Sequence, residues 1–430
     1  MIPHPSPAQF SLRSQWAKDQ AISFLMQQAV ENRDVLSLAA GLVDEKSLPV
    51  FECRTALTSL FHDDSLARQA LQYGTTAGAD ALRVQLRLNL ARLEHCSADE
   101  LNIDQSQMIL TTGSQQLLSL VADVLLDPGD ICLVAAPTYF VFLGVLSGIG
   151  ARAIAIETDE HGLNPQALDT ALARLDQAGE RSRVKLIYVV SDYENPSGVS
   201  LATPRRCEIV AIARKWSRPA HPLFVLEDAA YRELRYDGAD RPSVWSFDES
   251  RETVILAQTF SKSFAPGVRI GMGILPKSLV EPICNLKGND DFGSANLNQH
   301  LLALVMSAGD YEPHVCEVRD SYRRKRDTML AALDLAFSGF PEVRWLRPEG
   351  GLYVWVALPK QIDTGFSGPL FQLATKKHHV MYVPGELCYP SGAGSVPKNQ
   401  MRLCFGVQDA AGITEGVRRL AAAVIECLLA

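Results

Sequence analysis

Residues 259–273 read TFSKSFAPGVRIGMG, and the interpretation of this stretch decides how the whole chain is understood. It follows Val254-Ile255-Leu256-Ala257, an apolar run that predicts a buried strand, and then breaks into hydroxyls, one lysine, Pro266-Gly267 and Arg269. A strand end that delivers Lys262 among hydroxyls suits covalent capture of a phosphorylated aldehyde. The lysine amine forms a Schiff base with a carbonyl, and burial beside cationic groups keeps part of that amine neutral. Thr259, Ser261 and Arg269 supply the phosphate grip, the arginine through its planar fork of donors. Taken alone, the dipeptide Ser261-Lys262 reads as a solvated turn, so the chemistry depends on partners elsewhere in the chain.

The 430 residues are 47 % hydrophobic and 21 % charged, an ordinary composition for a globular chain with a sizeable core. A net charge of −8 without a basic stripe argues against a nucleic-acid partner. The cluster at 323–326 reads as a solvated helix face. Nine cysteines are scattered singly, with no C-x-x-C, which argues against a disulfide framework and a zinc site; the nine histidines have no ligand spacing. No metal is expected. The N-terminus lacks a basic region followed by an apolar stretch, and no run approaches a membrane span, so the expected location is the cytoplasm.

The polar, proline-bearing residues 1–20 read as an arm, 21–30 as a helix, and 36–41 as a short strand closed by a glycine turn. Tyr73 lies in a loop by composition, before a helix over 81–93. From residue 108 the pattern is that of an open α/β sheet. Strands are expected at 108–110, 131–135, 152–156, 184–190, 223–228, 254–257 and 270–275, and helices at 116–125, 165–175 and 204–216. The turn at Gly113-Ser114-Gln115 suits a phosphate through the free N–H groups of the helix start, although Ser114 serves equally well as a helix N-cap. Tyr139 follows the strand 131–135, where open α/β sheets hold their ligands. Asp228 ends an apolar strand and needs a partner, because an unpaired buried carboxylate is costly. After about residue 310 a long helix over 311–335, strands at 350–356, 380–383 and 401–405, and a helix over 413–429 describe an α+β layer. The expected division is an arm and helix at 1–48, a large domain at 49–310 and a small domain at 311–430.

Gly113-Ser114-Gln115, Tyr139, Asn195, Asp228, Tyr231, Lys262 and Arg269 thus follow successive strands of one sheet. Together they resemble the class I/II aminotransferases of fold type I, which use pyridoxal 5′-phosphate (PLP), and most of all the subgroup of 2-aminoadipate and kynurenine aminotransferases and the aminotransferase domain of MocR regulators. The similarity runs from about residue 36 to 405. Its most specific parts are Asn195-Pro196-Ser197-Gly198 against N-P-[TS]-G, Glu227-Asp228-Ala229-Ala230-Tyr231 against E-D-x-x-Y, and residues 261–271 against S-K-x-x-x-P-G-x-R-x-G.

The resemblance implies a mostly parallel seven-stranded sheet flanked by helices, with a smaller α+β domain. It also implies an enzyme that moves the amino group of an L-amino acid to a 2-oxo acid. Lys262 then holds PLP as an internal aldimine and moves the α-proton, and Asp228 keeps the pyridine nitrogen protonated. Asn195 and Tyr231 bond the ring O3′, Tyr139 stacks on the ring and also counts as catalytic, and Ser114, Gln115, Thr259, Ser261 and Arg269 anchor the phosphate. Arg402 matches the arginine that binds the substrate α-carboxylate, and Gly41 a glycine lying over the substrate, with Asn195 beside them. Tyr73 matches a tyrosine that reaches the phosphate of the neighbouring subunit, which implies a homodimer.

The chain departs from the pattern at Ile22-Ser23, where relatives often carry isoleucine-arginine, with Arg13 or Lys18 as substitutes. It departs again at Ser191-Asp192-Tyr193-Glu194, whose two extra carboxylates are expected to disfavour acidic substrates. The same fold supports decarboxylases, β-lyases and racemases. The MocR reading requires a winged-helix domain ahead of this module, for which the arm is too short.

Overall fold

The structure, a computed structural model, describes residues 10–17, 34–391, 394 and 396–429. The helix expected over 21–30, together with Lys18, Ile22 and Ser23, lies outside the described residues. In chain order the strands are β1 (Leu36–Ser37), β2 (Met108–Thr111), β3 (Ile131–Ala136), β4 (Arg152–Asp159), β5 (Gly162–Leu163), β6 (Val184–Val190), β7 (Phe224–Asp228), β8 (Val254–Thr259), β9 (Gly271–Ile274), β10 (Arg344–Trp345), β11 (Tyr353–Ala357), β12 (Val380–Met381), β13 (Val383–Pro384) and β14 (Gln400–Cys404).

The large sheet has the order β2-β9-β8-β7-β6-β3-β4-β5. The strands from β8 to β4 run parallel, whereas β9 pairs antiparallel with both β8 and β2. Successive residues of β6 alternate between two cores. Leu186 and Tyr188 pack into one, Ile187 and Val189 into the other. Both faces are covered, which is why these strands read as continuous apolar runs rather than as alternating ones. Each fully buried leucine of this kind contributes about 1.5–3 kcal/mol.

The topology positions the site. The chain moves outward from β3 to β4, then returns past β3 to β6 and continues the other way to β7 and β8. Order therefore reverses between β3 and β6, and a crevice opens at the carboxyl ends of those two strands. Tyr139 follows β3 and Asn195 follows β6.

The C-terminal part carries an antiparallel sheet, β10-β11-β14-β13, with helices Tyr311–Ala336 and Ala410–Leu429 packed together. β1 pairs in parallel with β12, Leu36 opposite Val380, which ties the N-terminal segment to the C-terminal region.

Several expectations shift. The large sheet has eight strands rather than seven, because the chain turns back at Asp159 and adds the two-residue β5. The single strand expected over 380–383 is broken at Tyr382, so that β12 pairs with β1 and β13 with β14. Helices at Val50–His62, Asp64–Leu71, Lys277–Asp291, Asn296–Ser307 and Pro369–Lys376 were not anticipated. Among the described residues no helix is long and apolar enough to cross a membrane, and no cluster of three His, Cys, Asp or Glu residues could hold a metal ion.

Candidate active site

After β8 the chain turns tightly, with Phe264 N donating to Phe260 O at 3.0 Å, and Lys262 projects from this turn. Its Nζ donates to the Gly41 carbonyl at 2.8 Å. Burial pulls the lysine down to about 8, and the guanidinium groups of Arg402 and Arg269 push the same way. Thr259 Oγ1 donates to Ser261 Oγ at 3.0 Å. Arg269 sits at φ 52°, a left-handed conformation uncommon outside glycine, and its Nη2 donates to Thr112 O at 3.2 Å.

The opposing wall is the start of helix Ser114–Leu125. Its N-cap is Gly113 at φ 74°, and no side chain caps the helix. The alternative reading of Ser114 as the cap is thereby corrected: Ser114 and Gln115 belong to the first helical turn, and its N–H groups stay free for an anion. Gly271 permits the arrangement, since a Cβ there would lie 2.5 Å from Ser114 N. This explains the last glycine of the lysine motif.

Asp228 is buried at the end of β7. Its Oδ2 accepts a hydrogen bond from Tyr188 Oη at 3.0 Å, whereas its buried Oδ1 has no partner. Burial pushes this carboxyl up to about 6, against the opposing effect of Tyr188. Tyr231 Oη lies 3.1 Å from Tyr353 Oη. Arg402, on β14 opposite Trp355, donates from Nη1 to Asn195 Oδ1 at 2.8 Å and from Nη2 to Ala39 O at 2.7 Å. Its guanidinium lies 4.4 Å from the centroid of the Tyr353 ring, and its buried Nε is unpartnered.

Ser114, Gln115, Tyr139, Asn195, Asp228, Tyr231, Thr259, Ser261, Lys262 and Arg269 all line one cavity of about 190 Å³. Arg402 and Gly41 adjoin it through their bonds to Asn195 and Lys262. Tyr73 does not reach it. It is 84 % exposed, with its ring 6.2 Å from that of Phe292, beside a separate groove.

Two tyrosines escaped the sequence reading. Tyr188 sits within the apolar run of β6 and Tyr353 within that of β11, where each passes for a core residue. Tyr188 pairs in register with Leu226, two residues before Asp228, and nothing in the sequence marks where its hydroxyl points. The two carboxylates expected to disfavour acidic substrates both have partners within the protein. Asp192 is held by the fully buried Arg206 at 2.6 Å, so its charge is matched within the protein. Glu194 accepts from Ser197 Oγ at 2.8 Å, and burial pushes it up to about 8, leaving it mostly protonated at neutral pH. Arg13 is exposed and pairs with Asp123 at 3.1 Å.

Residues 33–420 match the family described as "Aminotransferase class I and II". The chain belongs to this family. It is 34 % identical to aromatic-amino-acid aminotransferase 1 of Thermococcus litoralis over 92 % of this chain and 89 % of the relative. It is 31 % identical to the 2-aminoadipate transaminase of Thermus thermophilus over 91 % of this chain and 90 % of the relative. The crystal structure of Pyrococcus horikoshii kynurenine aminotransferase, solved in complex with PMP, superposes with a TM-score of 0.87 at 33 % identity, covering 98 % of both chains.

This aminotransferase is therefore an enzyme that transfers an amino group from an amino acid to a 2-oxo acid with PLP as cofactor, on a fold type I scaffold. Its own residues fit that cofactor. The unpartnered Asp228 Oδ1 lacks the donor that a protonated pyridine nitrogen supplies. The uncapped helix start beside Arg269 matches a phosphate dianion, and the depressed Lys262 matches an aldehyde.

Proposed function

We propose that Lys262 is the residue that binds the cofactor covalently and that the residues around it divide the work of transamination. The observation that carries this reading is the meeting, in one cavity, of a lysine pulled down to about 8 with a buried carboxylate oxygen that has no partner. When bound, PLP supplies an electron sink for the electrons left at the substrate α-carbon. Asp228 Oδ1 holds the proton on the ring nitrogen. Lys262 Nζ would hold the cofactor's aldehyde and, when free, would carry the proton from the substrate α-carbon. Arg402 binds the α-carboxylate, and Asn195 orients Arg402 through its Oδ1 while its Nδ2 remains available to the ring oxygen, which Tyr231 also bonds. Tyr139 packs on the ring. Ser114, Gln115, Thr259, Ser261 and Arg269 hold the phosphate, and Gly41 lies over the substrate.

We further propose a homodimer in which Tyr73 reaches the partner's site, supported by the exposure of Tyr73 and Phe292 side by side. The proposed units are 49–310 and 311–430, with the strand pairing of β1 attaching the end of segment 1–48 to the smaller one. A reducing cytoplasm suits nine cysteines that are all unpaired.

Borohydride reduction of the yellow holoprotein followed by peptide mapping should fix the cofactor on Lys262. A label on any other lysine overturns the assignment. Amino acids incubated with 2-oxoglutarate or pyruvate should yield the new amino acid, whereas release of ammonia or carbon dioxide instead would point to elimination or decarboxylation.

A further inference from the structure

Two blocks of the site come from different strands: Asp228 ends β7 with Tyr231 just beyond it, and Lys262 follows β8. A side chain belonging to neither block joins them. Tyr311, the first residue of helix Tyr311–Ala336, is buried with its ring centroid 6.0 Å from those of both Phe260 and Phe264, the residues that flank the lysine turn. Its hydroxyl donates to Glu233 Oε2 at 2.7 Å. Having spent its single proton there, it accepts from Ser263 Oγ at 2.9 Å. Ser263 is adjacent to Lys262, and Glu233 stands two residues beyond Tyr231.

The chain of bonds is braced at its acidic end. Gln258 Nε2 donates to Glu233 Oε2 at 3.4 Å, Arg319 Nε donates to the Glu233 carbonyl at 2.6 Å, and Arg92 Nη2 lies 3.6 Å from Glu233 Oε1. Burial and the neighbouring carboxylate drive the Tyr311 hydroxyl well above its ordinary value, so it remains a donor throughout the working range. None of Tyr311, Glu233 and Ser263 lines the cavity. The arrangement has a charged acceptor, a fixed direction and a ring wedged between two others, more than packing alone requires.

We infer that Tyr311, Glu233 and Ser263 are positioning residues that hold the Lys262 turn in register with the Asp228–Tyr231 segment, so that the amine meets the aldehyde while the ring nitrogen is held by Asp228. The inference rests on the roles of Lys262 and Asp228 proposed above. The step it serves is balanced: the lysine nitrogen bonds to the aldehyde carbon and one water leaves, with no oxidant or reductant. A misplaced turn weakens that bond directly, whereas of the residues assigned to the phosphate it carries only Ser261 and leaves Ser114, Gln115 and Arg269, together with Asp228, in place.

The test compares two ligands on the full-length apoprotein. PLP forms the covalent bond to lysine; pyridoxamine 5′-phosphate carries the same ring and phosphate but no aldehyde. Tyr311→Phe keeps the ring and removes the hydroxyl, Ser263→Ala removes the serine partner, and Ser263→Thr keeps a hydroxyl. Equilibrium titration by absorbance and fluorescence should give about tenfold weaker PLP binding for Tyr311→Phe and Ser263→Ala, with pyridoxamine 5′-phosphate affinity within about twofold of wild type. Ser263→Thr should restore the PLP value, and the double variant should lose little more than either single one. Equal losses for both ligands, or unchanged PLP affinity, overturn the positioning role. Lys262→Ala is the separate control. If it leaves the preference for PLP over pyridoxamine 5′-phosphate intact, the assignment of Lys262 fails, whatever the Tyr311 variants do.

Discussion

With Lys262 as the proposed cofactor-binding amine, its lowered proton affinity should set how fast the apoprotein captures PLP, and pH is the perturbation that measures it. Only the neutral amine attacks an aldehyde. With Lys262 at about 8, about one amine in ten is neutral at pH 7, against roughly one in three thousand at the ordinary 10.5, so the site gains a factor of roughly 300 in reactive amine. Stopped-flow mixing of apoprotein with PLP should therefore show a covalent-capture rate that rises about tenfold per pH unit below 8 and levels off above about 9. Arg402→Gln removes a cation that lowers the lysine, so the midpoint should move upward. The same shift sets a stability slope. Between about 8 and 10.5 the unfolded chain keeps a proton that the folded chain has released, so the apoprotein gains stability as pH rises through that window. A capture midpoint above 10, or a rate that does not respond to pH, would refute the argument that burial tunes this lysine.

Arg402→Gln should also raise the KM for the amino acid by about 100-fold, near 3 kcal/mol, with a smaller effect on kcat, as steady-state kinetics would reveal. Asp192→Asn leaves the fully buried Arg206 without its carboxylate and should cost about 3 kcal/mol in denaturant unfolding; a loss below 1 kcal/mol would mean that the main-chain acceptors of Arg206 suffice. Gly41→Ala puts a Cβ 2.6 Å from Tyr353 Oη and should raise KM about tenfold, and Tyr353→Phe in the same chain should relieve much of it, because the next ring atom is 3.6 Å away.

How far the sequence could be read depended on where each residue's partner lies. Asp228, Asn195 and Lys262 stood out as candidates because Asp228 ends an apolar strand and the other two follow one, and polar groups at that edge of a parallel sheet face the ligand crevice. Arg402 was legible only through family resemblance. It sits on a strand buried on both sides, and its partners, Asn195 and Ala39, lie more than 200 residues away in sequence. Tyr188 and Tyr353 were hidden because an aromatic residue inside an apolar run reveals nothing of where its hydroxyl points. Asp192 and Glu194 misled for the converse reason: their charges were visible, but Arg206 and the burial that remove them were not. The extra strand β5 is two residues long, too short to leave a periodic signal.

The N-terminal segment that starts with β1 has a consequence for how this chain tolerates change. Ala39 and Gly41 present main-chain oxygens to Arg402 and Lys262, the two cations assigned to the substrate and the cofactor. No side-chain replacement can delete a peptide carbonyl, so substitutions at Ala39 and Gly41 themselves are filtered by shape alone. Length is another matter. The chain bends at Leu38, where Ser37 Oγ accepts from Ala39 N and Ala40 N, and loss of one residue between Ser37 and Gly41 would carry at least one of these oxygens away from its cation. The segment should accept many spellings but not a different count.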